Sequence, residues 1–264
     1  MKNQIMDLAI KAATEAGKLI QSMGGKSRID QKGETFNLVT DADTEAEKLI
    51  SSILLKGLPD SVFLAEESNT KQNIFAPRLW IIDPLDGTNN FAHNIPHYSV
   101  SIAYAENGTV KSGVVYDPVR NELFSAEAQK GAYLNEERIS VSKHEFLNES
   151  MISTGFYYDR GILMEKTLQG IHTLFKENIR GIRRMGSAAL DLCWLACGRY
   201  DGYFEYMLSP WDFAAGKIII EEAGGICADR DGLDRGLLSK GLICSNRLIQ
   251  KKLMEKVKWN NQEY

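Results

Sequence analysis

Residues 79–91 read LWIIDPLDGTNNF, and this stretch carries most of the information about fold and function in the chain. Residues 79–82 are all apolar, and an apolar run of this length before a turn predicts a short buried strand. The predicted strand ends at Asp83, and a second carboxylate, Asp86, follows across a turn. Pro84 fixes one backbone angle and removes a hydrogen-bond donor, so this turn is stiff. The stretch therefore presents two acidic side chains at the end of a buried strand.

The same stretch offers a metal site beside an anion site. The two carboxylates and the backbone carbonyl of Leu85 are hard oxygen ligands, which suit Mg²⁺ or Mn²⁺ better than Zn²⁺. Gly87 lets the chain turn sharply, and Thr88 is predicted to cap a helix that begins at Asn89. The amide groups at such a helix start attract anions. These features indicate a metal-bound oxyanion, most simply a phosphate, and the alternative is an ordinary polar turn.

Two upstream segments also bring carboxylates to the ends of elements. After a loop over 32–40, a helix is predicted to open with Thr40 and Asp43 close to a capping box. On these residues alone, Asp43 is a helix-capping side chain. Residues 62–65 predict a strand that ends on Glu66, which makes a second acidic strand end.

The rest of the pattern predicts two different halves. An Asn-Gly pair joins two predicted strands within an antiparallel meander over 99–134. A polar segment over 140–149 divides the chain into halves 1–145 and 146–264, which form one compact unit. The other predicted elements are helices over 5–23, 162–175 and 186–198, a strand over 200–206, and a helix that runs from an N-cap at Asp212 to Glu222.

Composition and charge restrict the class of function. The chain has 264 residues, of which 44% are hydrophobic and 25% charged, as in ordinary globular proteins. A net charge of −4 predicts no broad basic surface for nucleic acid, and no apolar run is long enough to predict a transmembrane helix. Residues 1–23 do not resemble a signal peptide, so a cytoplasmic protein with no membrane partner is expected. Of the four cysteines, Cys193 and Cys197 lie four apart in an apolar helical pattern and are expected to pack in the core rather than bind zinc or form a disulfide.

These motifs together resemble the inositol monophosphatase family. The resemblance runs from about residue 5 to 257, and its two signatures, one around the Asp-Pro-Leu-Asp-Gly-Thr motif and one around the Trp-Asp motif, are highly specific. The segments that carry it are NLVTDAD at 37–43, LAEES at 64–68, DPLDGTNNF at 83–91, GSAA at 186–189, WDFAAG at 211–216 and EAGG at 222–225.

The resemblance implies a fold, a cofactor and a set of site residues. The fold is of the α+β or α/β class, a layered α-β-α-β-α sandwich with an antiparallel N-terminal sheet and a mixed C-terminal sheet. The activity is that of a Mg²⁺-dependent phosphatase that is inhibited by Li⁺ and forms homodimers. The implied metal ligands are Glu66, Asp83, Leu85 through its carbonyl, Asp86 and Asp212. The implied catalytic residues are Glu66 and the water-activating pair Asp43 and Thr88. The implied substrate-binding residues are Asp86, Gly87, Thr88, Ser187, Ala188, Glu205 and Asp212, with phosphate on the amides of Gly87 and Thr88.

The expected reaction is hydrolysis of a small phosphorylated metabolite by metal-activated water. A polyol or sugar monophosphate is expected, with myo-inositol 1-phosphate first, because the acceptor-only carboxylate of Glu205 suits neutral hydroxyl groups and repels a second phosphate. Arg183 and Arg184 keep fructose 1,6-bisphosphate as an alternative, since a second phosphate calls for nearby arginines. NADP(H), histidinol phosphate and 3′-phosphoadenosine nucleotides remain open as substrates. An alternative of another class is a phosphometabolite-sensing or protein-binding module that keeps the metal site without turnover.

Overall fold

The structure, a computed structural model, describes residues 2–24, 29–31 and 38–259. Of the loop expected over 32–40, residues 32–37 lie outside this description, and residues 38–40 form a short strand. Within the described residues, the helices are α1 (Lys2–Met23), α2 (Asp41–Gly57), α3 (Thr88–Ala92), α4 (Ile162–Lys176), α5 (Ala188–Ala196), α6 (Pro210–Glu222) and α7 (Gln250–Val257). Short 3₁₀-helices lie at Leu147–Glu149 and Gly236–Leu238.

The strands of the described residues include those predicted over 62–65 and within the meander. They are β1 (Ile29–Gln31), β2 (Leu38–Thr40), β3 (Val62–Ala65), β4 (Leu79–Asp86), β5 (Ser99–Glu106), β6 (Thr109–Asp117), β7 (Glu122–Glu127), β8 (Gly131–Leu134), β9 (Glu137–Ile139), β10 (Met151–Thr154), β11 (Gly181–Arg183), β12 (Gly202–Glu205), β13 (Ile226–Asp229) and β14 (Leu242–Ser245). The strand expected over 200–206 is thus shorter than predicted.

Two large sheets form the frame of the molecule. The N-terminal sheet has the strand order β3-β4-β5-β6-β7-β8-β9, and the C-terminal sheet has the order β11-β10-β12-β14-β13. The N-terminal sheet departs from the expected antiparallel arrangement at one edge, because β3 and β4 are parallel. A long connection between these two strands lets the chain return to the same end of the sheet, as parallel pairing requires. The C-terminal sheet is mixed, with parallel pairs around β10 and antiparallel pairs around β14.

The helices form three layers around these sheets. Helices α1 and α2 cover one face of the N-terminal sheet, α5 and α6 contact both sheets from between them, and α4 and α7 pack together beside the C-terminal sheet. Along β4, Trp80 and Ile82 face the first layer, whereas Leu79 and Ile81 face the middle layer. Both faces of this strand are therefore buried, which explains its continuous apolar sequence. The order of layers is α-β-α-β-α, and the predicted fold class is confirmed.

The end of β4 differs from the prediction in a way that shapes the site. The strand does not stop at Asp83 but continues to Asp86, which pairs with Ser99 of β5. The pairing register shifts between the two aspartates, where Pro84 has no N–H to donate. A bulge in a continuing strand, rather than a turn after it, therefore separates the two carboxylates.

Two helix caps lie earlier in the chain than predicted. Helix α6 begins at Pro210 with Ser209 as its N-cap, and a proline is favoured at this position because its missing N–H is not needed there. Asp212 lies inside the first turn, where its carboxylate accepts a hydrogen bond from the backbone N–H of Ser209 at 2.7 Å. Similarly, Thr88 is the first residue of α3, and Gly87 is the N-cap. Neither Asp212 nor Thr88 is the N-cap that the sequence pattern predicts, because the N-caps are Ser209 and Gly87.

The segment between β9 and β10, which joins the two sheets, contains the 3₁₀-helix Leu147–Glu149. The division of the chain into two halves after residue 145 stays a prediction. None of the helices in residues 2–24 and 38–259 has the length and apolar character needed to span a bilayer.

Candidate active site

A cavity of about 300 Å³ is shared by elements of both large sheets. It is bordered by the ends of β3, β4 and β12, the connection after β10, and the starts of α3, α5 and α6. All the predicted site residues except Asp43 line it, and they are Glu66, Asp83, Leu85, Asp86, Gly87, Thr88, Ser187, Ala188, Glu205 and Asp212. The fold thus gathers residues that are separated by more than a hundred positions in the sequence.

Asp43 reaches this cavity indirectly. Its side chain is fully buried at the start of α2, where one carboxylate oxygen accepts hydrogen bonds from the N–H and hydroxyl of Thr40 at 2.7 and 2.6 Å. The other oxygen accepts a hydrogen bond from the Thr88 hydroxyl at 2.8 Å. Burial raises the pKa of Asp43, and the hydrogen bonds from Thr40 and Thr88 act in the opposite direction. The capping interpretation is therefore correct, and the same carboxylate also holds a cavity-lining hydroxyl.

The two aspartates of β4 are fixed by different partners. Asp83 is 2% exposed, and one of its oxygens accepts a hydrogen bond from the N–H of Leu85 at 3.0 Å. Asp86 accepts hydrogen bonds from the Ser187 hydroxyl at 2.6 Å and from the N–H of Ala189 at 2.7 Å. These last contacts join the end of β4 to the start of α5, so Asp86 connects the N-terminal sheet to the middle helical layer.

The acidic side chains around the cavity share one electrostatic field. Burial raises the pKa values of Asp83 and Asp212 well above the ordinary range and raises that of Asp86 to about 6. The negative charge of Glu66 raises all three pKa values further. Removal of water and mutual repulsion both disfavour the ionised forms, so a nearby cation would be strongly favourable.

The donor set suits a hard divalent cation. Four carboxylates and the carbonyl of Leu85 offer only oxygen atoms, which is the ligand type that Mg²⁺ and Mn²⁺ take in proteins. Within residues 2–24, 29–31 and 38–259, however, no three or more Asp, Glu, His or Cys side chains stand in an arrangement that would hold a metal ion. At least one oxygen of Asp83, Asp86 and Asp212 is engaged by a protein donor. A bound cation would therefore have to draw the remaining oxygens together.

Glu205 occupies another part of the cavity wall. It is 8% exposed and accepts a hydrogen bond from the Tyr203 hydroxyl at 2.6 Å. Burial raises the pKa of Glu205 to about 7, although the Tyr203 hydrogen bond and the charge of Arg184 act against this rise. Gly155 makes room for this carboxylate, because a Cβ atom there would overlap it. The sequence pattern showed an acidic strand end but gave no sign of this steric dependence.

Sequence reasoning missed several residues of the cavity. The connection after β10 contributes Tyr157 and Tyr158, whose ring centroids are 5.7 Å apart. Arg184 lines the cavity whereas Arg183 does not, a difference that the sequence could not show. Asp191 also lines it, and its one signal in the sequence was its place as the only charged residue of the apolar helix α5.

The chain is similar over almost its whole length to known phosphatases. A family model described as the inositol monophosphatase family matches residues 1–262. A relative from Synechocystis named inositol-1-monophosphatase is 42% identical over 95% of this chain and 87% of its own length. A relative from Thermotoga maritima named fructose-1,6-bisphosphatase/inositol-1-monophosphatase is 39% identical over 96% of this chain and 95% of its own.

Other similar proteins carry a different kind of name. A relative from Pasteurella multocida named Nus factor SuhB is 40% identical over 97% of this chain and 96% of its own. Among solved structures, the extragenic suppressor protein suhB from Bartonella henselae superposes with a TM-score of 0.90 at 38% identity, covering 96% of this chain and 98% of that one. The fold is therefore shared by proteins named for catalysis and by proteins named otherwise.

The raised pKa of Asp86 predicts how pH affects the metal-free protein. Because the folded-state pKa of about 6 exceeds the ordinary value of 3.8, Asp86 contributes stability below its unfolded pKa and loses that contribution as the pH rises through about 6. Asp86→Asn stays neutral and can still accept from Ala189. The variant should therefore gain melting temperature relative to the parent chain as the pH rises from about 4 to about 6, with no further gain above about pH 7, measured by thermal unfolding with a chelator present.

The control for this measurement is Asp60→Asn, because the Asp60 side chain is 87% exposed. Its melting temperature should follow that of the parent chain at every pH. A difference between Asp86→Asn and the parent chain that does not change with pH would contradict the assigned electrostatics.

Proposed function

The chain belongs to the inositol monophosphatase family, and we propose that it is a Mg²⁺-dependent phosphatase acting on small polyol or sugar monophosphates. The observation that carries the proposal is the cavity itself. Carboxylates from four separate chain segments, Glu66, Asp83 with Asp86, Glu205 and Asp212, line it together with the turn at Gly87. A set of acidic groups and a glycine turn at one cavity suits a phosphate ester bound through a cation.

The residues that would hold Mg²⁺ are Glu66, Asp83, Leu85 through its carbonyl, Asp86 and Asp212. Their fit rests on the oxygen-only donor set and on the repulsion that raises the pKa values of Asp83, Asp86 and Asp212. Bound Mg²⁺ supplies charge that polarises phosphoryl oxygens and lowers the pKa of water. The chain itself fixes the directions of its ligands, since Asp86 is held by α5 and Asp212 by the backbone of Ser209.

Thr88 and Asp43 are assigned to the attacking water. The Thr88 hydroxyl can give its one hydrogen to Asp43, at 2.8 Å, while a lone pair stays available to accept a hydrogen bond from water. Asp43 is fully buried and does not line the cavity, so it acts through Thr88. This pair would orient the water and take up the proton that it loses.

The phosphate is assigned to the turn at Gly87. This residue has φ of 95°, in the left-handed region that favours glycine. A Cβ atom there would also lie 3.1 Å from the carbonyl oxygen of His97 and 3.3 Å from that of Gly186. The turn is therefore fixed, and the N–H groups of Gly87 and Thr88 at the start of α3 would donate hydrogen bonds to phosphate oxygens.

The remaining wall is assigned to the alcohol part of the substrate. Ser187 is buried and donates to Asp86, which places its hydroxyl and the neighbouring Ala188 at the cavity. Glu205 would accept hydrogen bonds from substrate hydroxyl groups. The large negative charge of this cavity favours a leaving group with neutral hydroxyls, of which myo-inositol 1-phosphate is the leading example.

Neutralising either of two metal-ligand aspartates should nearly abolish phosphate release. Asp83→Asn and Asp212→Asn each remove a charged ligand, so we expect kcat to fall by at least about 100-fold under saturating Mg²⁺. The measurement is free phosphate released from inositol 1-phosphate, with and without Mg²⁺. Asp60→Asn, at an exposed position, should keep full activity.

Near-normal turnover in either folded variant would reject the metal assignment. No release of phosphate from any ester tested with Mg²⁺ would reject the enzyme itself. That result would favour a sensing or protein-binding role. A relative named Nus factor SuhB is the reason to keep this alternative.

Asp43→Asn should lower kcat by about 100-fold while KM changes little, because Asp43 is assigned to the water and not to the substrate. The matched control is Asp41→Asn, which removes an exposed acidic residue from the same first turn of α2. Steady-state kinetics on inositol 1-phosphate should show near-normal values for that control. A change confined to KM in Asp43→Asn would instead assign Asp43 to substrate binding.

Fructose 1,6-bisphosphate is the second candidate substrate, and Arg184 is the observation that favours it. Arg184 lines the cavity, where its guanidinium can accept a second phosphate. The Thermotoga maritima relative named for both activities shows that the two names occur together in this family. The acidic character of the remaining wall keeps this candidate behind the monophosphate.

Arg184→Ala should reduce kcat/KM for fructose 1,6-bisphosphate by about tenfold or more and change that for inositol 1-phosphate much less. Arg183→Ala is the matched control, since Arg183 is exposed and does not line the cavity. Equal losses on both substrates in Arg184→Ala would remove the bisphosphate assignment.

A further inference from the structure

We propose that Asp191 is an additional specificity residue that exchanges hydrogen bonds with hydroxyl groups of the leaving polyol. This inference rests on the proposed phosphatase function and adds to it a residue that the sequence motifs do not include. Asp191 would bind a neutral polyhydroxylated alcohol rather than a second charged group.

The carboxylate of Asp191 lacks the partners that its surroundings demand. The residue is 1% exposed and lines the cavity, and its Oδ1 atom is buried without a hydrogen-bond partner among the described residues. In contrast, Asp83, Asp86, Asp212 and Glu205 each accept at least one hydrogen bond from the protein. Buried polar side chains nearly always have a partner, and an unsatisfied one costs stability. An unsatisfied carboxylate on the wall of a binding cavity is therefore explained best by a partner that arrives with the substrate.

The position of Asp191 in the fold agrees with this role. It lies one turn beyond Ser187, and its N–H donates to the Ser187 carbonyl at 3.0 Å. The helix start is itself fixed to the cavity by the contacts of Ser187 and Ala189 with Asp86. Asp191 consequently projects from a rigid element at the part of the cavity assigned to the alcohol.

Its electrostatic surroundings select the ligand class. Burial and the charges of Asp86 and Glu205 raise the pKa of Asp191, while Arg184 lowers it. A hydroxyl group can both donate and accept, so it suits a carboxyl group in either protonation state. A phosphate would be repelled whenever Asp191 is ionised.

If Asp191 had a purely structural role, its substitution should lower the stability of the fold. Helix α5 is otherwise apolar, and among the described residues Asp191 Oδ1 has no hydrogen bond that a substitution would remove. Removing a buried, unsatisfied carboxylate should then leave stability unchanged or improve it. If Asp191 serves the substrate, activity should fall even though stability does not.

The test uses the full chain with Asp191→Ala and Asp191→Asn, two esters and thermal unfolding. Inositol 1-phosphate carries several hydroxyl groups, whereas p-nitrophenyl phosphate carries none on its leaving group. For Asp191→Ala we expect kcat/KM to fall about tenfold or more on inositol 1-phosphate and less than about twofold on p-nitrophenyl phosphate. Asp191→Asn should lose less, because an amide can still donate and accept. The melting temperature should not fall in either variant.

The matched control is Asp231→Ala, because Asp231 also has a buried oxygen without a partner but does not line the cavity. It should leave kcat/KM for both esters unchanged. Equal losses on both esters in the Asp191 variants, or losses that follow a lower melting temperature, would overturn the specificity role while the phosphatase assignment stands. A parent chain that hydrolyses neither ester would overturn both.

Discussion

The repulsion among carboxylates around one cavity is the constraint on which the site depends. Burial already disfavours the ionised forms of Asp83, Asp86 and Asp212, and the charge of Glu66 adds to that cost. The fold offsets part of the cost with fixed donors, namely the N–H of Leu85, the hydroxyl of Ser187 with the N–H of Ala189, and the N–H of Ser209. The fold leaves the rest of this repulsion uncompensated, and in the proposed function a divalent cation would offset it.

The same contacts explain why the two sheets and the helices between them form a single site. Asp86 ends a strand of the N-terminal sheet and is held by the start of α5, which packs beside the C-terminal sheet. Asp212 lies in the first turn of α6, whose apolar residues pack in the core shared by both sheets. The cavity therefore takes its wall from both sheets and from the helices between them.

Much of this could be predicted from the sequence, because periodicity and strand-end carboxylates are local signals. The apolar run before Asp83 and the capping box of Thr40 and Asp43 are present as expected. The bulge at Pro84 could not be predicted, because it depends on β5 continuing to pair beyond it. Asp191 looked like one charge in an apolar helix, since only the folded chain shows which side of α5 meets the cavity. Similarly, the need for glycine at position 155 comes from the distant Glu205.

Anomalous diffraction from crystals soaked in Mn²⁺ can show whether these carboxylates form a cation site. Mn²⁺ takes the same oxygen ligands as Mg²⁺ and can be located without reference to any activity. We expect an anomalous peak bordered by Asp83, the Leu85 carbonyl, Asp86 and Asp212, with Glu66 beside it. Crystals with Mn²⁺ bound elsewhere, and with Asp83, Asp86 and Asp212 still apart, would contradict it.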